Sequence, residues 1–297
     1  MSRPALNSNV FTPGKFGPDR IDRPEGALGH CGAAQAGVRG SKALKVLNKV
    51  PAVTLAFWVA KTFATTVGET AADYLNSTFH LGLTKTSLIM AGLLAIALLV
   101  QFTRRRYIPA VYWIVVVLIS VVGTLVSDNL VDNFGVPLWA TTLVFSATLA
   151  GVFAWWFVSE RTLSVHTIVS TRREAFYWAA ILFTFSLGTS AGDLVGERFG
   201  LGYPLSLALF AGMIGLVALA YYVFKINAVL AFWAAYILTR PLGASAGDLL
   251  SQPVGAGGLG LGTTWTSLAF LVVIAALTVF MTVQQRREMT AAQAAKT

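Results

Sequence analysis

The chain has 297 residues, of which 56% are hydrophobic and only 12% charged, and its mean hydropathy is +0.68. A soluble domain of this size is usually about 25% charged. Apolar stretches close to the roughly 20 residues that cross a bilayer also recur along the chain. Together these two features exclude an ordinary soluble protein. The net charge of +9 does not indicate nucleic-acid binding, because the basic residues flank apolar stretches without interleaved aromatic residues that could stack on bases.

The N-terminal segment, residues 1–49, is predicted to be a flexible cytoplasmic tail. It holds four of the ten prolines and lacks an apolar core as long as a signal peptide requires. We therefore expect the first span to act as an uncleaved signal. His30 and Cys31 are adjacent here, but a zinc site needs more ligands, and one cysteine excludes a disulfide framework within the chain. The sequence predicts no cofactor.

Eight apolar spans are predicted to follow, which makes the fold class an all-α polytopic membrane protein. The spans cover approximately residues 51–73, 84–103, 108–128, 137–158, 175–193, 203–224, 227–248 and 264–284. They form two membrane halves, residues 50–160 and 175–285. A basic linker, residues 161–174, separates the halves, and a cytoplasmic tail, residues 286–297, ends the chain.

The distribution of basic residues predicts the orientation. Of the 22 Lys and Arg residues, 18 lie on one set of connecting segments, and only Lys85 and Arg198 lie on the opposite set. By the positive-inside rule, both termini are expected to be cytoplasmic in a multi-pass protein of the inner (plasma) membrane.

A repeat of Trp, Gly and Asp marks every odd-numbered span. Gly follows Trp by ten residues and Asp follows Gly by five in all four copies, at residues 58–73, 113–128, 178–193 and 233–248. The repeated residues are Trp58, Trp113, Trp178 and Trp233; Gly68, Gly123, Gly188 and Gly243; and Asp73, Asp128, Asp193 and Asp248. A second span follows each copy, so four two-span units enter the membrane in the same sense, as parallel repeats.

This pattern resembles a family of bacterial membrane proteins made of four tandem repeats of unknown function, each with two transmembrane segments and a tryptophan. The resemblance covers about residues 50–285. It implies the architecture and supplies no substrate and no catalytic residues.

The repeated glycines are predicted to pack helices closely. Each stands four residues before a second small residue, as in Gly68/Ala72 and Gly188/Gly192, which is typical of tight contacts between membrane helices. At about 100° per residue, Trp, Gly and Asp share one helix face, and we expect that face to point into the bundle. In an alternative interpretation, the glycines and neighbouring hydroxyls expose backbone carbonyls to a bound ion.

The four aspartates are predicted to lie near the outer interface, about 22 Å along the helix from the tryptophans. Parallel repeats place them at one height around a central axis, where an acidic ring would concentrate cations. Two hypotheses stay open. The aspartates either cap helices and form structural ion pairs, or they form a cation site together with Glu69.

Three charges break the repeat pattern. Lys61 and Glu69 occur only in the first copy, and Arg240 only in the fourth. Lys61 and Arg240 are predicted to neutralise Glu69, Asp73 or Asp248 across helices. A sharper interpretation makes them internal countercharges that compete with a transported cation.

The function predicted from these features is a membrane transporter or channel for a small solute, most naturally a cation. The alternative is a non-transporting scaffold or partner-binding protein in which the Gly and Asp residues are structural. An enzyme is not predicted, because the sequence has no nucleophile–base or metalloprotease motif and its spans contain no histidine. The expected partners are the lipid bilayer and a small cation; the oligomeric state is left open.

Overall fold

A computed structural model describes residues 48–79 and 82–294 of the chain. The predicted N-terminal tail, with His30 and Cys31, therefore lies outside the described residues except for its last two positions. The described residues form eight α-helices and no β-strand: α1 Leu55–Phe79, α2 Leu83–Thr103, α3 Pro109–Asp128, α4 Leu138–Glu160, α5 Thr171–Asp193, α6 Gly202–Tyr222, α7 Ala228–Ser251 and α8 Thr263–Ala294. The all-α polytopic membrane fold is thus confirmed.

Seven of the helices in the described part of the chain, α2 to α8, are long and apolar enough to span a membrane. The first helix, α1, is long enough at 25 residues but less apolar, because it carries Lys61, Glu69 and Asp73. These polar side chains are accommodated because α1 packs against α3, α7 and α8.

The first helices of the four repeats form a closed inner ring. In this ring α1 packs on α3, α3 on α5, α5 on α7, and α7 again on α1. The second helix of each repeat packs outside the first helix of the next: α2 on α3, α4 on α5, α6 on α7, and α8 back on α1. The outer helices present apolar side chains such as Leu99, Leu143, Leu216 and Val272 to the surroundings, as a lipid-facing surface requires.

The repeated glycines form the contacts between neighbouring inner helices, as the small-residue pattern predicts. The glycine of each repeat faces the residue that follows Trp by seven positions in the next repeat. A Cβ atom on each glycine would lie only 2.5–2.6 Å from the Cβ of the residue it faces, with Gly68 facing Ser120, Gly123 facing Phe185, Gly188 facing Arg240, and Gly243 facing Thr65. The same glycine contact therefore occurs at each of the four interfaces between neighbouring inner helices.

The tryptophans of the repeat mark one end of the ring, which we call the aromatic end. Trp113, Trp178 and Trp233 are almost fully buried, and the hydroxyls of Tyr112 and Tyr177 lie 2.5 Å apart. The side chains of Phe57, Tyr112, Tyr177 and Tyr236 are completely buried at this end. The centre of the ring is thus filled with aromatic side chains here.

A buried ion pair ties the connecting segments together at the aromatic end. Lys49 Nζ lies 2.6 Å from Glu174 Oε2, and Gln101 Nε2 donates to Glu174 Oε1 at 2.9 Å. The Asn48 side chain donates to the carbonyl of Val165 in the basic linker. The residues that precede α1 are therefore fixed against α2, the linker and the start of α5.

Several helices extend beyond the predicted spans. After Asp73, α1 continues to Phe79 because no Gly or Pro intervenes, and α8 continues to Ala294 through Gln, Arg and Ala residues with high helix propensity. α5 begins at Thr171, inside the predicted linker, where Ser170 Oγ accepts from the Arg173 amide at 3.3 Å and caps the helix. Single π-helical turns, Asn129–Asn133 and Leu194–Arg198, follow α3 and α5.

Candidate functional site

The four repeated aspartates line one cavity of about 200 Å³ at the end of the ring opposite the tryptophans. We call this space the acidic cavity. Glu69 and Asp132 also line it, as do the amide side chains of Asn76 and Gln252. Six carboxyl groups from four helices and one π-helical turn therefore surround a space large enough for several water molecules.

The repeat itself brings these aspartates together. Each follows its tryptophan by 15 residues on an inner helix, and the helices form a closed ring, so the four side chains lie at similar depth. All four are partly buried, and Asp128 is close enough to Glu69 and Asp73 for electrostatic interaction. Carboxylates held together in this way attract cations.

Asp132, which the repeat does not contain, is brought to the cavity by the π-helical turn after α3. Asn129 Nδ2 donates to Ser87 Oγ on α2 at 2.6 Å, and Asn133 Nδ2 donates to Asn129 Oδ1 at 2.7 Å. These bonds fix the turn against the start of α2. Asp132 was missed by the sequence analysis, although its spacing of four residues from Asp128 places both on one helix face.

Arg240 is completely buried and forms an ion pair with Glu69, which lines the acidic cavity. Its Nη2 atom lies within hydrogen-bond distance of three acceptors, Glu69 Oε2 at 2.8 Å, Thr189 Oγ1 at 2.7 Å and Thr124 Oγ1, which share its two protons. Its Nη1 atom donates to the carbonyl of Thr65 at 3.4 Å. The guanidinium of the fourth repeat thus contacts the other three inner helices.

The threonines around Arg240 were also missed by the sequence analysis as site residues. Thr124 and Thr189 follow the repeated glycine directly, at the position that Glu69 occupies in the first copy. That shared register is the signal that could have identified them. In a closed ring, residues at one register position lie at the same height and face the same centre.

Lys61 is held by neutral groups. Its Nζ donates to the Tyr236 carbonyl at 2.8 Å and to Thr239 Oγ1, and it lies 4.4 Å from the centre of the Tyr236 ring. Of the two predicted charge partners, Arg240 therefore forms an ion pair with Glu69, whereas the described contacts of Lys61 are two hydrogen bonds and two cation–π contacts, with Tyr236 and Phe185.

The carboxylates of the acidic cavity are not arranged as a chelate. Across residues 48–79 and 82–294, no group of three or more His, Cys, Asp or Glu side chains is positioned to hold a metal ion. Between the cavity and the aromatic end, Arg240, Lys61 and Tyr236 are fully buried.

Comparison with known proteins gives one match. The family model described as Repeat of Unknown Function (DUF347) matches residues 56–107, 111–162, 176–227 and 231–287, which is more than half of the chain. Each matched segment covers most of one inner and one outer helix, so the four tandem repeats predicted from the sequence are confirmed. No curated protein and no solved structure matches the chain.

Proposed function

The chain belongs to the DUF347 family of repeats of unknown function, and we propose that it moves a small cation across the membrane through the centre of its inner ring. One observation carries the proposal: all four repeats contribute an aspartate to a single cavity that Glu69 and Asp132 also line. A packing role does not require the carboxylates to converge, whereas attraction of a cation does.

Electrostatics supports a cation as the solute. Clustered carboxylates repel each other at close range, and a cation between them removes that repulsion. The low-dielectric walls of a membrane protein strengthen the attraction and raise the local concentration of cations. An anion would meet six carboxyl groups before it reached Arg240.

The proposal includes an orientation. The basic residues predict that the aromatic end faces the cytoplasm and the acidic cavity faces outside, in the inner or plasma membrane. Cations would then enter the cavity from outside. The direction of net movement depends on the gradients that drive it.

Arg240 fits the proposal as an internal countercharge to Glu69. The Arg240–Glu69 pair and its hydroxyl contacts close the bottom of the cavity, and the buried aromatic side chains fill the path beyond it. This arrangement corresponds to a state in which the cavity is accessible from one side of the membrane and the path to the other side is blocked. Passage of a cation then requires the contacts of Arg240 to break.

A scaffold is the second candidate, and the filled centre of the ring favours it. Four glycine contacts and a sealed aromatic end would suit a rigid membrane platform equally well. In that case the aspartates would be structural, and their amide variants would alter stability without altering the movement of any ion.

The experiment is a flux measurement on purified protein in liposomes, with alkali and divalent cations tested separately. We expect Asp128→Asn and Asp193→Asn to reduce flux at every pH. Glu69→Gln should also reduce flux, because it removes another carboxylate that lines the cavity. Glu288→Gln, an exposed carboxylate change on the extension of α8, serves as the control. Normal flux in all three cavity variants would favour the scaffold.

A cellular test complements the flux measurement. Cells that lack the protein should differ from the wild type in sensitivity to one alkali or divalent cation. The wild-type gene should restore the normal response, and Asp→Asn variants at the four repeat positions should restore it less well at equal protein levels.

A further inference from the structure

The Arg240 guanidinium is enclosed by a cage of four oxygen atoms. The cage consists of Glu69 Oε2, Thr124 Oγ1, Thr189 Oγ1 and the Thr65 carbonyl oxygen. These atoms belong to α1, α3 and α5, while Arg240 reaches them from α7. The cage therefore gathers oxygen atoms from three helices around a charge supplied by the fourth.

The two threonine hydroxyls present oxygen lone pairs to the centre of the cage. Thr124 Oγ1 donates to the Ser120 carbonyl at 3.2 Å, and Thr189 Oγ1 donates to the Phe185 carbonyl at 3.2 Å. Because each hydroxyl has only one proton, both act as acceptors toward Arg240. Carboxylate, hydroxyl and carbonyl oxygens are the ligands that hard cations take in proteins.

The guanidinium does not satisfy all of its own donors in this position. Arg240 Nε is buried without a hydrogen-bond partner among the described residues. A guanidinium that was permanently fixed here would be expected to use its Nε–H as well. The cage thus fits a compact cation at its centre better than it fits the extended donor set of arginine.

The cage lies directly below the acidic cavity. Glu69 belongs to both. Thr124 and Thr189 stand four residues before Asp128 and Asp193 on their helices, which is about 6 Å deeper along the ring axis. A cation that leaves the cavity toward the other side of the membrane would meet this cage next.

We infer that the oxygen cage of Glu69, Thr124, Thr189 and the Thr65 carbonyl is an inner site for a monovalent cation, and that Arg240 occupies it as a tethered competitor. The inference rests on the proposed function for its physiological meaning. Charge selects the class of cation: the cage carries one negative charge, and a monovalent cation replaces the single positive charge of arginine without leaving an excess. A divalent cation would leave the buried site with an uncompensated positive charge.

The first test empties the cage and asks whether a free cation fills it. In Arg240→Met the side chain keeps an apolar stem and loses its charge, so Glu69 remains without its arginine. We expect NaCl or KCl, compared with choline chloride at equal ionic strength, to raise the melting temperature of the purified variant by several degrees. The double variant Glu69→Gln/Arg240→Met keeps the acidic cavity aspartates and should show no such rise. Equal responses of the two variants, or a larger response to MgCl₂ in Arg240→Met, would overturn the inference.

The second test leaves Arg240 in place, in case its removal prevents folding. Thr124→Val and Thr189→Val each remove one cage oxygen and preserve shape. We expect each to shift the half-saturating Na⁺ or K⁺ concentration for flux severalfold, because the lost oxygen serves the guanidinium and the free cation unequally, and about 1.4 kcal/mol of difference is a tenfold change. Thr184→Val is the matched control, because Thr184 is a buried threonine of α5 that bonds only to the Ile181 carbonyl in the described contacts. A shift in Thr184→Val equal to that in the cage variants would contradict an inner site.

The two tests separate the inner site from transport. Wild-type protein without flux would refute the proposed function, while cation-dependent melting of Arg240→Met would still support the cage. Wild-type flux that depends on the cavity aspartates but is unchanged in both cage variants would support the proposed function and refute the inner site.

Discussion

The contact between α7 and α1 completes the inner ring, and a single methyl group added at Gly243 should force these two helices apart. A Cβ atom at Gly243 would lie 2.6 Å from Thr65 Cβ and 3.1 Å from the Thr66 backbone nitrogen. The backbone atom cannot rotate away, so the Gly243→Ala variant must separate the two helices by about 1 Å to restore ordinary van der Waals contact.

Two terms give the magnitude of the effect. Overpacking of a tight contact costs about 1–3 kcal/mol. The Thr65 hydroxyl shares its one proton between the Thr62 carbonyl at 2.5 Å and the Thr239 carbonyl at 3.2 Å. Separation of the helices weakens the second of these bonds, which contributes at most about 0.5–1.5 kcal/mol. The gain in helix propensity from Gly to Ala offsets up to about 1 kcal/mol. This gain in helix propensity cancels when Gly243→Ala is compared with a Gly→Ala change at a helical position where the added methyl group contacts nothing.

Gly212→Ala on α6 is that comparison, since no atom lies within 4 Å of its added Cβ. Reversible unfolding in mixed detergent–SDS micelles, followed by tryptophan fluorescence, should show Gly243→Ala to be less stable than Gly212→Ala by about 2–4 kcal/mol. Equal stability of the two variants within about 0.5 kcal/mol would refute the account of the ring contact, because no steric term would remain to distinguish them.

Two further predictions follow from other parts of the fold. Lys49→Met should destabilise the protein by about 3–5 kcal/mol in the same unfolding assay, because it leaves the buried Glu174 carboxylate without its cation. Lys49→Met/Glu174→Met should be closer to the wild type, and a double variant that is less stable than the single one would contradict this reasoning. The proposed orientation can be tested by single cysteines placed in a Cys31→Ser background. A cysteine at the exposed Ala256 should react with an impermeant thiol reagent added outside, and a cysteine at the exposed His166 should react only with reagent added inside. The reverse pattern would overturn the proposed orientation.

Much of the architecture could be predicted from the sequence because the repeat fixes several relations at once. The spacing of Trp, Gly and Asp identifies one helix face, and parallel repeats place four such faces at one height. Glycine with a second small residue predicts a close contact. These local rules are sufficient for an inner ring with converging aspartates.

The pairing of helices could not be predicted in the same way. Each outer helix packs on the inner helix of the next repeat, and α8 returns to α1. Sequence shows that the outer helices are uniformly apolar, but such helices carry no polar stripe that selects a neighbour. The choice depends on the tertiary contacts of the whole ring.

The contacts of the buried charges were only partly predictable. Arg240 and Glu69 have opposite charge, and their pairing follows from the rarity of unpaired charges in spans. Lys61 instead contacts a carbonyl, a hydroxyl and two aromatic rings. Those groups give no signal in a sequence, because every residue has a carbonyl and aromatic residues are common in spans.

The central claim is that a cation enters the protein through the acidic cavity. Its most direct test is the electrical current that follows a cation concentration jump on proteoliposomes adsorbed to a solid-supported membrane. Wild-type protein should give a saturable current. The variant with asparagine at Asp73, Asp128, Asp193 and Asp248 should give none, while it keeps the glycine contacts and the wild-type fold by circular dichroism. A current of wild-type size in that folded variant would contradict the account.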